Sequence, residues 1–546
     1  MGPSRRVLRS AIVMTMCLGV PSGAFPAAAQ QYEASLRSLD YSPDPLARSP
    51  RLLGMGRLTL ADDLHNHINL WDFAGNPTGI AEAESLTTFE YRPGTRSSTA
   101  LRDLSGAPPP RERQQLAARQ MRHGIETWKR APGETAYGLL GEVATLQWDR
   151  PFSGAVEQRG KFTVPALTGV VNGRLPWVPS TRFDYALRVA YSRESYDDLY
   201  FDFFQLPQGE YLGKPSAVVP PPDVFTPNHA EVSNLGGGVA ISMRVTPGIR
   251  AAIGYDRARA LVRSKNEGLR STSRTDERRP FDIGQASVVG RVGEHLEFGA
   301  DGRAWRSESE EFFFWSVSAG PTQEPLAGEG KRLDRKEEGT SLRTRARWVD
   351  GPFELGAGFS TSFRRGIVTP WYPVNDGDLP GFNNFVDQVG FRGGADTLLL
   401  PARVQFSRVE ERGYQIVGGG SWRLPGRRGS LGAEVHRWRR RIDQRSVGAG
   451  PEPTGWDVRA GGEYRCSAAF LARAGWSYGL SDRDDLTADN TYRHTTATTG
   501  FGYQPVGSRW SVDLGYAFEW VNPDFPDPVR SRETRQRLAL QTRWPF

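Results

Sequence analysis

The last ten residues of the chain, RLALQTRWPF (Arg537–Phe546), decide the fold. Apolar and polar residues alternate along them, so that one face of an extended strand carries Leu538, Leu540, Thr542, Trp544 and Phe546. The preceding segment, WSVDLGYAFEW (Trp510–Trp520), repeats the alternation with tryptophan at both ends. An apolar face bounded by aromatic residues is typical of a barrel strand that faces lipid. A β-sandwich strand alternates in the same way but is usually about half as long.

The alternating unit recurs backward through the chain. Clear examples occupy residues 470–478, 353–363, 249–255 and 183–191. Counting back from Phe546 gives 14 strands that begin near Arg182. Weaker candidates at Ser85–Arg92 and Ala136–Trp148 would raise the count to 16. We therefore predict an all-β fold, a transmembrane outer-membrane β-barrel of 14–16 antiparallel strands over residues 135–546.

The connections between these strands alternate in length. Short ones lie near 246–248 and 350–352, and long ones cover roughly 194–232 and 366–412. Short periplasmic turns and long extracellular loops are the usual arrangement of outer-membrane barrels. Only every second strand residue of a barrel meets lipid, which reconciles a membrane location with a hydrophobic content of 38%.

The first residues have the features of an export signal. Arg5, Arg6 and Arg9 are followed by an apolar stretch, Ala11–Val20, and by a small-residue cleavage site at Ala27–Ala29. We predict a signal peptide over residues 1–29 and a location in the cell outer membrane. After cleavage Cys466 alone remains of the two cysteines, which excludes an intramolecular disulfide. A net charge of +7 on 546 residues, without a recognisable binding motif, indicates no nucleic-acid partner.

The region between the signal and the barrel, residues 30–134, alternates poorly and is predicted to be a hatch or plug. Within it, residues 109–130 look helical. Ala117, Met121, Ile125 and Trp128 would share one stripe of such a helix, with charges opposite. The pattern does not choose between a place in the lumen, against the rim or on the membrane surface.

A motif in this region resembles a known family. SPRLLGMGRLTLADDLHNHINLWDFAGNPTGIA (Ser49–Ala81) is similar to the N-terminal signature of the long-chain fatty acid transporters of the outer membrane, and to the related barrel of type IX secretion systems. The matching positions are Arg51, Gly54, Met55, Gly56, Ala61, Asp62, Asp63, Asn76, Pro77, Gly79 and Ile80. The resemblance implies a hatch that plugs the barrel, and a hydrophobic substrate such as a fatty acid.

The residues of the motif have physical roles that suit a hatch. Glycines at 54 and 56 would let the backbone pack closely against a barrel wall. Asn76 before Pro77 favours a turn or an extended conformation. Asp62 and Asp63 would pair with arginines of the lumen, or would simply be solvated acids of a loop.

His65 and His67 form a His-x-His pair that, with an aspartate, would supply metal ligands. Since no further ligand has a recognisable spacing, we expect polar loop histidines and no metal or cofactor.

The long loops are rich in aromatic residues. We predict that the loops capture a hydrophobic small molecule through Phe203, Phe204, Phe313, Phe314 and Trp315. The alternative is that these side chains extend strands, form the outer girdle or pack over the mouth. The basic run HRWRRR (His436–Arg441) would either hold lipopolysaccharide phosphates or line the lumen.

The chain offers no recognisable catalytic constellation, so we expect no enzyme. We predict a passive channel or transporter for small hydrophobic molecules. The alternative is a non-transporting barrel, a scaffold that binds secreted or surface proteins. Outer-membrane lipid and lipopolysaccharide are expected to surround it. Resemblance to other barrel C-termini implies that Trp544 and Phe546 are recognised by the barrel-assembly machinery.

Overall fold

Strand pairing closes the described chain into a ring. The computed structural model describes residues 50–58, 85–103, 111–130, 135–153, 156–174, 183–201, 225–267, 271–317, 326–370, 407–444, 448–449, 454–485, 488–524 and 531–545. Each strand pairs antiparallel with its sequence neighbours, and the first strand also pairs with the last, Leu86 lying opposite Pro545. The result is a closed barrel of 18 strands. Closure matters because no strand edge is left unpaired where lipid surrounds the wall.

The elements follow one another in a simple up-and-down order. A short helix, α1, precedes the barrel at Pro50–Gly54. The strands β1 to β18 are, in order, Leu86–Asp103, Arg111–Arg130, Ala136–Ser153, Val156–Arg174, Phe183–Phe201, Phe225–Thr246, Ile249–Glu267, Ser271–Val292, Leu296–Val317, Leu326–Asp350, Phe353–Pro370, Ser407–Arg423, Gly429–Gln444, Thr454–Arg465, Phe470–Asp485, Ala488–Tyr503, Ser511–Asp524 and Ser531–Pro545. A two-residue bridge at Gly448–Ala449 adds to the end of β13.

The predicted fold class is confirmed, and the strand count is larger than expected. The segment from β5 to β18 contains the 14 strands counted from the C-terminus. Four more strands, β1 to β4, precede them. The predicted boundary at residue 135 is therefore wrong, since the barrel wall already begins at Leu86.

The predicted helix near 109–130 is also wrong. These residues form β2, which pairs with β1 and β3. Ala117, Met121 and Ile125 are four residues apart, and an even spacing places residues on one face of a strand as well as on one stripe of a helix. Met121 and Ile125 are exposed apolar side chains of this strand.

The two faces of the wall differ in chemistry. Exposed apolar side chains follow the alternation predicted from sequence, as at Leu187, Val189 and Tyr191 of β5 and at Leu235, Val239 and Ile241 of β6. Charged side chains lie on the opposite face and are partly or fully buried there, such as Arg188 of β5 and Asp256 of β7, which form an ion pair. An apolar outer face around a polar interior identifies a barrel that spans the outer membrane.

The short turns that the structure describes lie at one end of the barrel. Tight turns join β6 to β7, β8 to β9 and β10 to β11. Aromatic side chains such as Trp348, Phe353 and Phe470 are exposed near this end, which is where a periplasmic girdle lies. The strands themselves reach 22 residues in β8 and β9 and 25 in β10. Since about 9–11 residues cross a membrane, the wall continues well beyond it on the extracellular side.

Among the helices of the described residues, none is long and apolar enough to cross a membrane.

Candidate functional site

The segment Pro50–Leu58, here called the lumen segment, lies against the inner face of the wall formed by β13 to β18. Arg51 forms an ion pair of 2.6 Å with Glu463 of β14. The Thr498 hydroxyl of β16 accepts from the Gly56 amide at 2.8 Å and donates to the Gly54 carbonyl at 3.0 Å. The Arg459 guanidinium donates to the carbonyl of Arg57 at 2.8 Å. These bonds fix both ends of the lumen segment to the wall.

Inward-facing glycines of the wall make room for the backbone of the lumen segment. A Cβ atom added to Gly475 would lie 2.1 Å from the Gly56 nitrogen, and one added to Gly461 would lie 2.2 Å from the Met55 oxygen. A Cβ atom added to Gly515 would lie 2.2 Å from the Pro50 oxygen, and one added to Gly500 would lie 3.3 Å from the Cα atom of Gly54. The wall and the segment thus pack so closely that a single additional carbon atom at these glycines would not fit.

The segment itself needs glycine where it turns. Gly56 has a φ of 80°, and an added Cβ there would lie 2.4 Å from the Ala460 oxygen. Arg57 follows with a φ of 64°, which is uncommon for a residue with a side chain. Two successive left-handed residues thus turn the chain at the end of the helix, and the carbonyl of Arg57 still accepts from Arg459 of the wall.

Apolar side chains complete the fit. Leu52, Met55 and Leu58 form one buried cluster. Leu53 packs against Ala517 and Ala539, small inward-facing residues of β17 and β18. Met55 and Leu58 are at most 1% exposed, which is the burial of a protein core. Burial of this degree stabilises the segment by about 1.5–3 kcal/mol per large side chain.

The predicted hatch residues divide into two groups. Gly54, Met55 and Gly56 are in the lumen segment, in contact with the wall. Asp62, Asp63, Asn76, Pro77 and Gly79 lie outside the described residues, as do His65 and His67. No group of three or more metal-ligating side chains occurs in the described part of the chain.

Ion pairs cover much of the inner wall. Arg473 contacts both Glu463, at 3.3 Å, and Asp513, at 2.7 Å. Arg347 bridges Glu297 and Glu354 at 3.1 and 3.6 Å. The side chains of Arg347, Glu354 and Arg473 are all less than 5% exposed. Each such charge is paired, as buried charges must be to avoid a large desolvation cost.

A further buried cluster, here called the outer cluster, lies toward the extracellular end of β8 to β10. Glu277 accepts hydrogen bonds from both Arg279 and Ser309, and Arg335 lies 3.8 Å from it. Glu277 and its cross-strand neighbour Glu311 are about fifteen residues from the short turn that joins β8 to β9. At about 3.3 Å per residue and a tilt of about 40°, that is roughly 38 Å, beyond an apolar band of about 25 Å.

The surroundings of the Glu277 carboxyl change its pKa in opposite directions. Burial raises its pKa, but hydrogen bonds from Arg279 and the charges of Arg279 and Arg335 outweigh that effect. The pKa of Glu277 therefore lies below its ordinary value. Glu277 is therefore ionised at neutral pH, and its contacts with Arg279, Ser309 and Arg335 stabilise the part of the wall that projects from the membrane.

The predicted capture residues are only partly described. Phe314 is exposed on the outer face of β9, together with Phe312. The backbone of Phe313 and Trp315 belongs to β9, but their side chains lie outside the described part, as do Phe203 and Phe204 entirely. The described residues thus show no capture groove, and the capture role stays a prediction.

The basic run His436–Arg441 of β13 contributes to both faces of the wall. His436 is buried in the lumen beside Glu434, at 3.0 Å, and Arg440 pairs with Glu411 at 2.9 Å. Arg437 and Arg439 alternate with them and are exposed on the outer side, which also carries Val435. His436 thus lines the lumen, as one of the two alternatives drawn from sequence expects, whereas lipopolysaccharide contact by Arg437 and Arg439 stays a prediction.

The C-terminal residues are placed in part. Trp544 of β18 is 45% exposed, as expected of an outward-facing aromatic residue of the girdle. Phe546 lies outside the described residues.

Several residues that hold the lumen segment were not identified from sequence. Glu463, Thr498, Gly461 and Gly475 each stand at an inward position of a strand. Glycines at alternate positions of β14 to β17 are the signal that was available, since glycine weakens a strand unless another backbone approaches it closely.

Comparisons with known proteins give solved structures of low similarity to this chain. No protein-family model matches the chain, and no curated protein matches it. The siderophore receptor PiuA from Acinetobacter baumannii is 10% identical over 83% of this chain and 82% of that one, with a TM-score of 0.41. A TodX monoaromatic hydrocarbon channel (mutant deltaS2S3) is 11% identical over 91% and 98%, with a TM-score of 0.36. A Pseudomonas aeruginosa FadL homologue is 12% identical over 91% and 98%, with a TM-score of 0.34. Such values carry no argument about substrate.

Proposed function

We propose that the protein is a passive outer-membrane channel or transporter for small hydrophobic molecules, of which fatty acids are the first candidates. The observation that carries the proposal is the lumen segment, which is seated inside a closed barrel by Arg51, Thr498 and the glycines of the wall. A segment held inside a barrel narrows the path through the lumen. A narrowed path is what a channel needs if it is to admit some solutes and exclude others.

The substrate class rests on the sequence motif. Arg51, Gly54, Met55 and Gly56 match the start of the signature that resembles the fatty acid transporters. These same residues make the contacts with the wall, so the matching positions have a structural role in this chain. Phe312 and Phe314, exposed on the outer face of the extracellular extension, supply apolar surface that a hydrophobic molecule meets on its approach.

The experiment is an uptake assay on the purified chain in liposomes. Flux of oleate and of toluene into the vesicles would be compared with that in protein-free vesicles and in vesicles that hold an unrelated barrel. The proposal expects protein-dependent flux of at least one of the two compounds. Flux equal to that of the controls for both compounds would contradict it.

The alternative is a scaffold for secreted or surface proteins, and one observation favours it. The wall projects far beyond the membrane, and Phe312 on its outer face is 52% exposed. Exposed aromatic residues above the membrane suit a protein partner as well as a small molecule. Absence of flux together with specific co-purification of a surface protein would establish this alternative over transport.

A further inference from the structure

One group of charges in the described part of the lumen wall contains more arginines than carboxylates. The group, here called the Arg303 cluster, consists of Arg188, Asp256, Asp301, Arg303 and Arg343 on the inner faces of β5, β7, β9 and β10. Arg188 pairs with Asp256 at 2.6 Å, and Arg343 pairs with Asp301 at 2.9 Å. Three guanidinium groups thus face two carboxylates, and the cluster has a net charge of +1.

The unmatched charge belongs to Arg303. Among the residues that the structure describes, no carboxylate lies within 4 Å of its guanidinium, and its buried Nε has no hydrogen-bond partner. Its electrostatic neighbours include Arg343 and Arg188 as well as the two aspartates. A guanidinium in such surroundings gains from an added anion, because a partly buried charge without a partner is costly.

The two aspartates are held by their own partners. Asp256 accepts from Arg188 with Oδ1 and from Gln285 with Oδ2, at 3.1 and 3.2 Å. Its side chain occupies the space beside Gly238, where an added Cβ would lie 1.7 Å from Oδ1. In Asp301 the Oδ2 atom accepts from both Nε and Nη2 of Arg343. Both carboxylates of the cluster therefore already accept hydrogen bonds, Asp256 from Arg188 and Gln285 and Asp301 from Arg343.

The cluster is open to the lumen. The side chain of Arg343 is 41% exposed and that of Asp301 is 25% exposed. The outer cluster differs in this respect, because Glu277 and Arg279 are only 1% exposed there. An ion that enters the lumen can reach the Arg303 cluster but not the outer cluster.

We propose that Arg303 binds the carboxylate group of a small monocarboxylate inside the barrel. A guanidinium binds a carboxylate through two parallel hydrogen bonds, and one unmatched positive charge suits one negative charge. The inference rests on the proposed function, because a solute must enter the lumen before it can meet Arg303. Binding at Arg303 would make the barrel prefer organic acids over uncharged compounds of the same size.

The experiment is calorimetric titration of the full-length protein in detergent with benzoate, octanoate and the uncharged analogue benzamide. The variants are Arg303→Gln and, as a matched control, Arg259→Gln, which removes an exposed arginine from the outer side of β7. The inference expects benzoate or octanoate to bind the native protein and the control equally. The dissociation constant should rise roughly tenfold or more in Arg303→Gln. Retention of the heat-dependent gel shift of a folded barrel verifies that this variant is folded.

The outcomes divide clearly. Binding of both acids assigns the site to carboxylates in general, and binding of octanoate alone assigns it to the headgroup of an amphiphile. Either supports the inference when it depends on Arg303. Benzamide binding as tight as benzoate binding, or acid binding that is unchanged in Arg303→Gln, overturns it. Arg303-dependent binding without any flux in vesicles would contradict the proposed function and leave the binding site standing.

Discussion

The guanidinium of Arg51 donates to both carboxylate oxygens of Glu463, over 2.6 Å from Nη2 to Oε1 and 2.9 Å from Nε to Oε2. The two residues are 412 positions apart in the sequence. One belongs to the short helix at the start of the described chain and the other to a strand near its end. This bidentate pair fixes the lumen segment to the wall. Its loss should therefore change how firmly the segment obstructs the lumen.

Replacing Arg51 by glutamine should loosen the lumen segment. Glu463 keeps its contact with Arg473 at 3.3 Å, but the tie to α1 is lost at a cost of about 1–3 kcal/mol. We expect more frequent opening events in planar-bilayer recordings. The control is Arg365→Gln, which removes an arginine that pairs with Glu338 at 3.4 Å and with Glu410 at 3.7 Å on the outer side of the wall, away from the lumen segment. Equal opening frequencies in the two variants would show that the Arg51 pair does not restrain the segment.

A methyl group at position 475 should displace the lumen segment. The Cβ of Gly475→Ala would lie 2.1 Å from the Gly56 nitrogen, so either strand or segment must move. Limited proteolysis should then cut near residues 50–58 faster than in the native protein. Gly418→Ala is the matched control, because a Cβ there meets no atom within 4 Å. Protection of the segment that is the same in both variants would contradict the close packing.

The outer cluster should make the free energy of unfolding depend on pH in the acidic range. Because the folded pKa of Glu277 lies below its ordinary value, its stabilising contribution is complete above about pH 4.3, the ordinary pKa of a glutamate. It is lost as the pH falls from there toward the folded pKa. Urea unfolding should therefore show stability falling with pH in this window, with a smaller slope in Glu277→Gln. An identical slope in the variant would indicate that other carboxyls control the acid response.

At neutral pH, Glu277→Gln also tests whether the charge of Glu277 compensates that of Arg279. Glu277→Gln leaves Arg279, which is 1% exposed, without its carboxylate and should lower the free energy of unfolding by about 3–5 kcal/mol. The double variant Glu277→Gln, Arg279→Gln removes both charges and should lose less. A double variant less stable than the single one would contradict the uncompensated charge as the cause.

Deletion of Phe546 should reduce the amount of barrel in the outer membrane, because the terminal aromatic strand is expected to be recognised during assembly. The measurement is the level of folded protein in isolated outer membranes, with deletion of Met1–Ala29 and expression in the cytoplasm as the reference for an unassembled chain. Normal levels of the Phe546 deletion would count against a role of this residue in assembly.

The sequence was most informative where the alternation of apolar and polar residues is regular. From β5 to the C-terminus, residues such as Leu187 and Trp520 mark the outward face, and the strands follow. In β1 to β4 the pattern is weaker: β1 contains Pro93 and Gly94, and β4 contains Lys161 and Pro165 within the strand. Pairing with the last strand, which closes the ring, places β1 in the wall despite its composition.

The lumen segment and the Arg303 cluster show what a single sequence does not contain. The motif around Gly54–Gly56 indicated a close approach of two backbones, but not that the partners are Gly461 and Gly475 some four hundred residues away. The unmatched charge of Arg303 depends on which arginine each aspartate binds. That is a property of the register between strands, which the composition of each strand leaves undetermined.

Residues of the N-terminal region should restrict a passage through the barrel. The most direct measurement is single-channel conductance in planar bilayers, for the native protein and for a variant lacking Gly54–Ile80. The deletion removes most of the contacts with Gly461, Gly475 and Thr498 and leaves the strands of the wall intact. We predict a higher conductance for the deletion variant. The same conductance in both proteins would contradict the claim.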